Sequence, residues 1–566
     1  MKVLASHVNH IINRISSLND RQRGYFELML TKIRMTLCIP TGAGKGYIMI
    51  THLMDRIINS KEDIFLTLSH RLTLNTQHLN DIVESLDPML GNIGFIFVGS
   101  SKYINIYEKL NNTDNILLNN TEIALKIKFN KLCLLNRINM SELFTNTLNS
   151  NDLKIAIDRH RIANRKIVII STYHSANIFA SLDVPIDVVY CDEAHTLATD
   201  YFGEDINFYT SFNKIKSHKY IFLTATPKDC DDESVAAQSA LMNNISIYGE
   251  RFGMSFKEAI EDGYVVLPVI HTATPVDGLV DKLINLKSVS KFVCDVYQSH
   301  HDWVKDVSVS PDDIGAKLLI KCESVKMMWR IAKELVGIMP DVTICCGASD
   351  TEYDIDNTPI GSTHRIDNYY ISKREEYLDR LQNLGSTENA IVLHFDTLSE
   401  GINVSGFTGI MFLTDNLPSK PKLLQNAGRG TRLHPKDRAG LRAGLIKVRE
   451  YGTWVKPHCA IIIPYWTSAG DRVKQTIAEV IINLREEYGF KSGTDHGLGN
   501  ALGKGSERTT DDRLNVTKYY KDGKIDLCDN DLEQIIEDLY IDVKNKQKSD
   551  NLDKLSPEEW LKHNFG

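Results

Sequence analysis

The chain has 566 residues, 42% hydrophobic and 24% charged, a balance that excludes collagen-like, mucin-like and disordered classes and suits about three or four globular domains. Its net charge of −8 excludes no partner, because a protein acidic overall still binds nucleic acid through a locally basic groove. No run approaches the roughly 18 apolar residues of a membrane span, so no membrane partner is expected.

Residues 1–24 read as helical, and the opening MKVLASHVNHIINRISS lacks the unbroken apolar core of a secretory signal. Short apolar runs follow at 35–39, 64–68, 95–98, 167–170, 188–191 and 220–223, separated by amphipathic helical patterns. Runs of this kind suit strands buried on both faces of a parallel sheet. The pattern breaks at 268–275, a helical connector follows to about residue 315, and a second series runs through 317–322, 342–346, 390–395, 409–413 and 460–464. The expected organisation is an α/β domain over 1–272 with a helical insertion at about 101–166, a connector over 273–315, a second α/β domain over 316–464 and an accessory helical region over 465–566. The insertion leans basic, with 11 Lys/Arg against 6 Asp/Glu, and residues 521–566 lean acidic, with 12 Asp/Glu against 7 Lys/Arg; both patterns suit solvated faces. Ten scattered cysteines include no C-x-x-C pair, so reduced thiols in a cytoplasmic setting are expected, with no zinc or iron–sulfur site.

The stretch PTGAGKG, from Pro40 through Thr41, Gly42, Ala43, Gly44 and Lys45 to Gly46, lies between an expected strand and an expected helix. A glycine-rich turn lets backbone N–H groups converge on phosphate oxygens, the helix start adds positive potential, and Lys45 places a charge by the β- and γ-phosphates. Such a loop normally carries Ser or Thr after the lysine to bind Mg²⁺; Gly46 offers no oxygen, so either water fills that position or the site is impaired. VVYCDEAH ends an expected strand with Asp192 and Glu193, where a doubly wound sheet places ligands. Asp192 is expected to hold Mg²⁺, with Glu193 acting through water and orienting the attacking water. In IFLTATP, Thr224 and Thr226 are expected to bond to the Asp-Glu-Ala-His segment.

In this order the motifs resemble those of superfamily 2 helicases and translocases, over roughly residues 18–464. The resemblance implies two tandem RecA-like domains that hydrolyse ATP with Mg²⁺ and move on nucleic acid. By it, Gln22 matches the adenine-reading glutamine. TLSHRLTLNTQ, with Arg71, and IISTYHSA, with Ser171 and Thr172, are similar to motifs that touch the backbone of the tracked strand. FDTLSEGINV is similar to motif V, implying nucleic-acid contact at Thr397 and nucleotide contact at Gly401 and Asn403; Asn403 stands where that motif usually carries Asp. LLQNAGRGTRLHP is similar to motif VI, which makes Gln425, Arg429 and Arg432 catalytic, the two arginines as fingers on the nucleotide. The details resemble restriction-type helicase subunits and phage branch-migration enzymes, implying duplex, forked or branched DNA in replication, recombination or repair. An RNA helicase and a degenerate ATP-binding subunit of a defence complex are the alternatives. Abundant Asn and Ile with sparse Pro agree with a phage or mobile-element origin.

Overall fold

Every apolar run singled out above forms a strand. The computed structural model describes residues 5–86 (without 71), 92–99, 126–134 (without 132), 139–199 (without 183), 208–229, 239–273, 286–348, 364–373 (without 367 and 368), 381, 384–395, 406–414, 420–464 and 491–492. They belong to two units, the first running to Ser255 and the second comprising most of the chain from Phe256 on. Among the described residues no helix is long and apolar enough to cross a membrane.

The first unit is built on β1 (Arg34–Cys38), β2 (Ile64–Ser69), β3 (Ile93–Val98), β4 (Phe144–Thr147), β5 (Lys166–Thr172), β6 (Ile186–Asp192), β7 (Ser217–Thr224) and β8 (Glu250–Gly253). They form one parallel sheet in the order β4-β3-β5-β2-β6-β7-β1-β8. β2 and β3 are buried at every position, which is why IFLTLS and IGFIFV show no polar alternation. Helices α1 (Ala5–Ser16), α2 (Asp20–Thr31), α3 (Lys45–Asn59) and α4 (Leu72–Leu86) come from the same half. α3 is buried at every position from Ile48 to Asp55 and again at Ile57 and Ile58, as a helix covered on nearly all sides is.

The second unit holds β9 (Leu267–Ala273), β10 (Lys317–Cys322), β11 (Thr343–Ala348), β12 (His364–Ile366), β13 (Tyr369–Lys373), β14 (Ala390–His394), β15 (Gly409–Leu413), β16 (His458–Pro464) and β17 (Lys491–Ser492). Their order is β12-β13-β11-β14-β10-β15-β16-β9-β17, with only the β12/β13 pair antiparallel. The result is two α/β domains with parallel sheets resembling RecA-like helicase cores, the expected fold class.

Two expectations about organisation need correcting. All of β9 but Ala273 falls within the span assigned to the first domain, yet the strand pairs with β16 along its whole length; Pro268 is tolerated near the strand's start, where a missing N–H costs least. The expected helical connector contains the helix Leu286–Val307, which buries Val289, Phe292, Val293 and Val296 in one core with Leu318, Ile320 and Met411. The insertion is not purely helical: β4 extends the sheet beside β3, and the helix Ser150–Ile162 then leads to β5. Of the accessory region only Lys491–Ser492 is described, as β17.

Candidate functional site

β1 ends at Cys38, and the glycine-rich loop carries the chain into α3. Gly42 and Gly44 have φ of 92° and 96°, backbone that a side chain disfavours. A Cβ on Gly44 would also lie 2.5 Å from Gln22 Nε2. Gly44 caps α3 without any side-chain bond, so no side chain competes for the amides at the positive end of the helix.

Lys45 opens α3, and its ammonium lies 3.2 Å from Asp192 Oδ1 and 3.2 Å from Glu193 Oε1. Asp192 is the last residue of β6. Glu193 follows in left-handed backbone, φ 51° and ψ 48°, a conformation uncommon outside glycine; this bend turns the chain off the strand and leaves both carboxylates on the same cation. Asp192 has a second partner, His78 Nε2 on α4, 3.1 Å from Oδ2. The hydroxyl of Tyr173 donates to the Asp192 backbone carbonyl at 2.7 Å. Burial works against the charges of both Lys45 and Asp192, but their attraction wins: the lysine is raised above its ordinary value, and Asp192, helped by His78, is held below the usual carboxylate range.

The Thr224 hydroxyl and His195 Nδ1 lie 3.1 Å apart, and Thr226 donates its backbone N–H to Thr224 Oγ1 at 3.2 Å. The bond between β7 and the Asp-Glu-Ala-His segment is thus present as expected for Thr224. Gln22 is braced against the loop: Nε2 donates to the Ala43 carbonyl at 3.2 Å, while Oε1 accepts the Asn19 N–H at 3.3 Å.

The donors fit a magnesium nucleotide. The carboxylates are hard oxygen ligands, and a Cβ at Gly46 would meet nothing within 4 Å. Among the described residues no group of three or more His, Cys, Asp and Glu could hold a metal, so a Mg²⁺ ion held by Asp192 would need further ligands from phosphates and water.

In the second unit Arg429 is 5% exposed on the helix Lys420–Gly430, and Arg432 is half-buried two residues beyond its end. Gln425 belongs to that helix, but its side chain, like Arg71, Thr397, Gly401 and Asn403, lies outside the described residues. One expectation is corrected. Ser171 is fully buried and donates its hydroxyl to the Val98 carbonyl at 2.8 Å; it fastens β5 to β3 and is not exposed to a nucleic acid. Its neighbour Thr172 is 5% exposed.

Two site residues escape sequence reasoning. His78 stands next to the quoted TLSHRLTLNTQ, and Tyr173 inside IISTYHSA; their hydrogen-bonding side chains were the available signal, but nothing in their spacing points to Asp192.

Residues 5–229 match the family model described as Type III restriction enzyme, res subunit. No curated protein matches the chain. Among solved structures, the ATP-dependent Type ISP restriction-modification enzyme LlaBIII bound to DNA has a TM-score of 0.52 at 17% identity, covering 83% of this chain and 30% of that one. The Mycobacterium smegmatis helicase Lhr bound to ssDNA and AMP-PNP has a TM-score of 0.47 at 12% identity, covering 85% and 50%. The chain thus spans less than two thirds of either protein. The family match covers less than half of the chain, and the likeness to LlaBIII is one of fold.

Proposed function

We propose that the chain is an ATP-dependent DNA helicase or translocase that remodels duplex, forked or branched DNA. The observation that supports it best is the Lys45 ammonium shared at 3.2 Å by Asp192 and Glu193 beside a glycine loop at a helix start. Nucleotide binding exchanges the carboxylate partners of Lys45 for β- and γ-phosphate oxygens. Asp192, oriented by His78, would then be free to hold Mg²⁺, which would offset phosphate charge. Glu193 orients the attacking water, and Arg429 and Arg432 stabilise the charge that develops on the transferred phosphate. Gln22 holds the loop in shape and reads adenine. DNA is gripped through its phosphates without regard to sequence, so binding weakens as salt rises. The restriction-type family match favours DNA over RNA.

The test is the ATPase rate without nucleic acid and with duplex DNA, forked DNA and RNA. Stimulation by forked or duplex DNA is expected. Stimulation by RNA alone overturns the DNA assignment, and ATP binding without turnover makes the chain a degenerate binding subunit.

A further inference from the structure

The helix Lys420–Gly430 ends one residue after Arg429, and the backbone that follows is tied down at three successive carbonyls. Lys456 Nζ donates to the carbonyl of Gly430 and, at 2.8 Å, to that of Arg432. The carbonyl between them, on Thr431, accepts the Val266 N–H at 2.7 Å. The grip is reciprocal. Asp437, in the helix Pro435–Arg442, accepts the backbone N–H groups of Val455 at 2.7 Å and Lys456 at 2.8 Å. Lys456 is 1% exposed and Asp437 2%. The helix end has no room to slide, because a Cβ on Gly430 would lie 2.3 Å from Cys459 Sγ and 3.1 Å from Ile410 Cδ1.

A buried ammonium costs several kcal/mol in desolvation, and apolar side chains often fill such a place as well. What an apolar residue cannot do is satisfy two buried carbonyls at the negative end of a helix. We propose that Lys456 is a positioning residue for hydrolysis: its ammonium fixes the Gly430–Arg432 backbone and so sets where Arg429 and Arg432 present their guanidinium groups. The proposal rests on the reading of those arginines as phosphate-stabilising groups.

The charge on this lysine is also poised. Burial lowers it to about 8; Arg432 and Arg438 push the same way, while Cys459 and Asp437 oppose them. Lys317 and His434 also feel its charge. Loss of the proton weakens the hold on both carbonyls, so kcat falls as pH rises through about 8.

The experiment is steady-state ATPase kinetics from pH 6.5 to 9.5 on the full chain, with thermal melts, for wild type, Lys456→Met, Lys456→Arg, Arg429→Ala and Arg432→Ala. Small misplacements of a charge-stabilising group cost up to about a hundredfold, so Lys456→Met should lose at least about tenfold in kcat with KM for ATP little changed. Lys456→Arg should recover much of that loss and abolish the fall above pH 8. A folded Lys456→Met with wild-type kcat overturns the proposal. So does a wild-type kcat that stays flat between pH 7 and 9, a result that needs no variant to fold. If both arginine variants keep full turnover, the underlying reading fails and this inference goes with it; if they lose turnover while Lys456→Met keeps it, the inference alone fails.

Discussion

Lys45 meets Glu193 across 148 positions of chain, and this meeting was legible before any coordinates, because the loop lysine and the acid pair each carry a recognisable neighbourhood. Lys45→Ala and Glu193→Gln should each cut ATP turnover by at least about a hundredfold, with nucleic-acid binding largely kept; a filter-binding assay beside the ATPase assay checks both halves. Gly46 invites the opposite experiment. Since a Cβ there meets open space, Gly46→Thr should fit, add a Mg²⁺-seeking hydroxyl and gain about 0.3 kcal/mol of helix propensity. The Mg²⁺ concentration giving half-maximal turnover should fall, and a curve that does not move refutes the reading of that position. His78 and Ser171 mark where sequence stops. The first reaches Asp192 from 114 positions away, and the second turns its hydroxyl inward to Val98; both are facts of packing that local spacing does not encode.

Among the elements, the buried central strands were legible and the edges were not. IFLTLS and IGFIFV declare themselves by unbroken apolar character, whereas β4 (FTNT) and β8 (ERFG) sit at the two rims of their sheet and are only partly buried. An edge strand has one neighbour and needs less apolar surface, so its pattern fades into that of a loop. The start of α2 shows how a local device serves the site. Asn19 Oδ1 accepts the Gln22 N–H at 2.9 Å, and Gln22 answers through its side chain, completing a capping box whose amide also braces the glycine-rich loop. Asn19→Ala should cost about 1 kcal/mol, read as a lower unfolding midpoint, and should raise KM for ATP by loosening Gln22.

Across the whole molecule, stability should depend on acidity through histidines buried without charge. Burial lowers His160 to about 4 and His300 and His394 to about 3, and it pulls His52 well down too. A base whose folded value is depressed takes up protons first in the unfolded chain. Its contribution is therefore complete above the ordinary value of 6.5 and is lost as pH falls from there toward 4. Each such histidine costs up to about 1.4 kcal/mol per pH unit in that window. Thermal melts should thus shift steeply downward between pH 6.5 and 4.5, and a midpoint constant over that range contradicts the assignment. The placement of β9 has a practical corollary for anyone dissecting the chain. A C-terminal fragment begun at residue 274 would lack the strand that bridges β16 and β17, leaving a raw edge open to sticking and self-association; the defensible cut lies between Ser255 and Leu267.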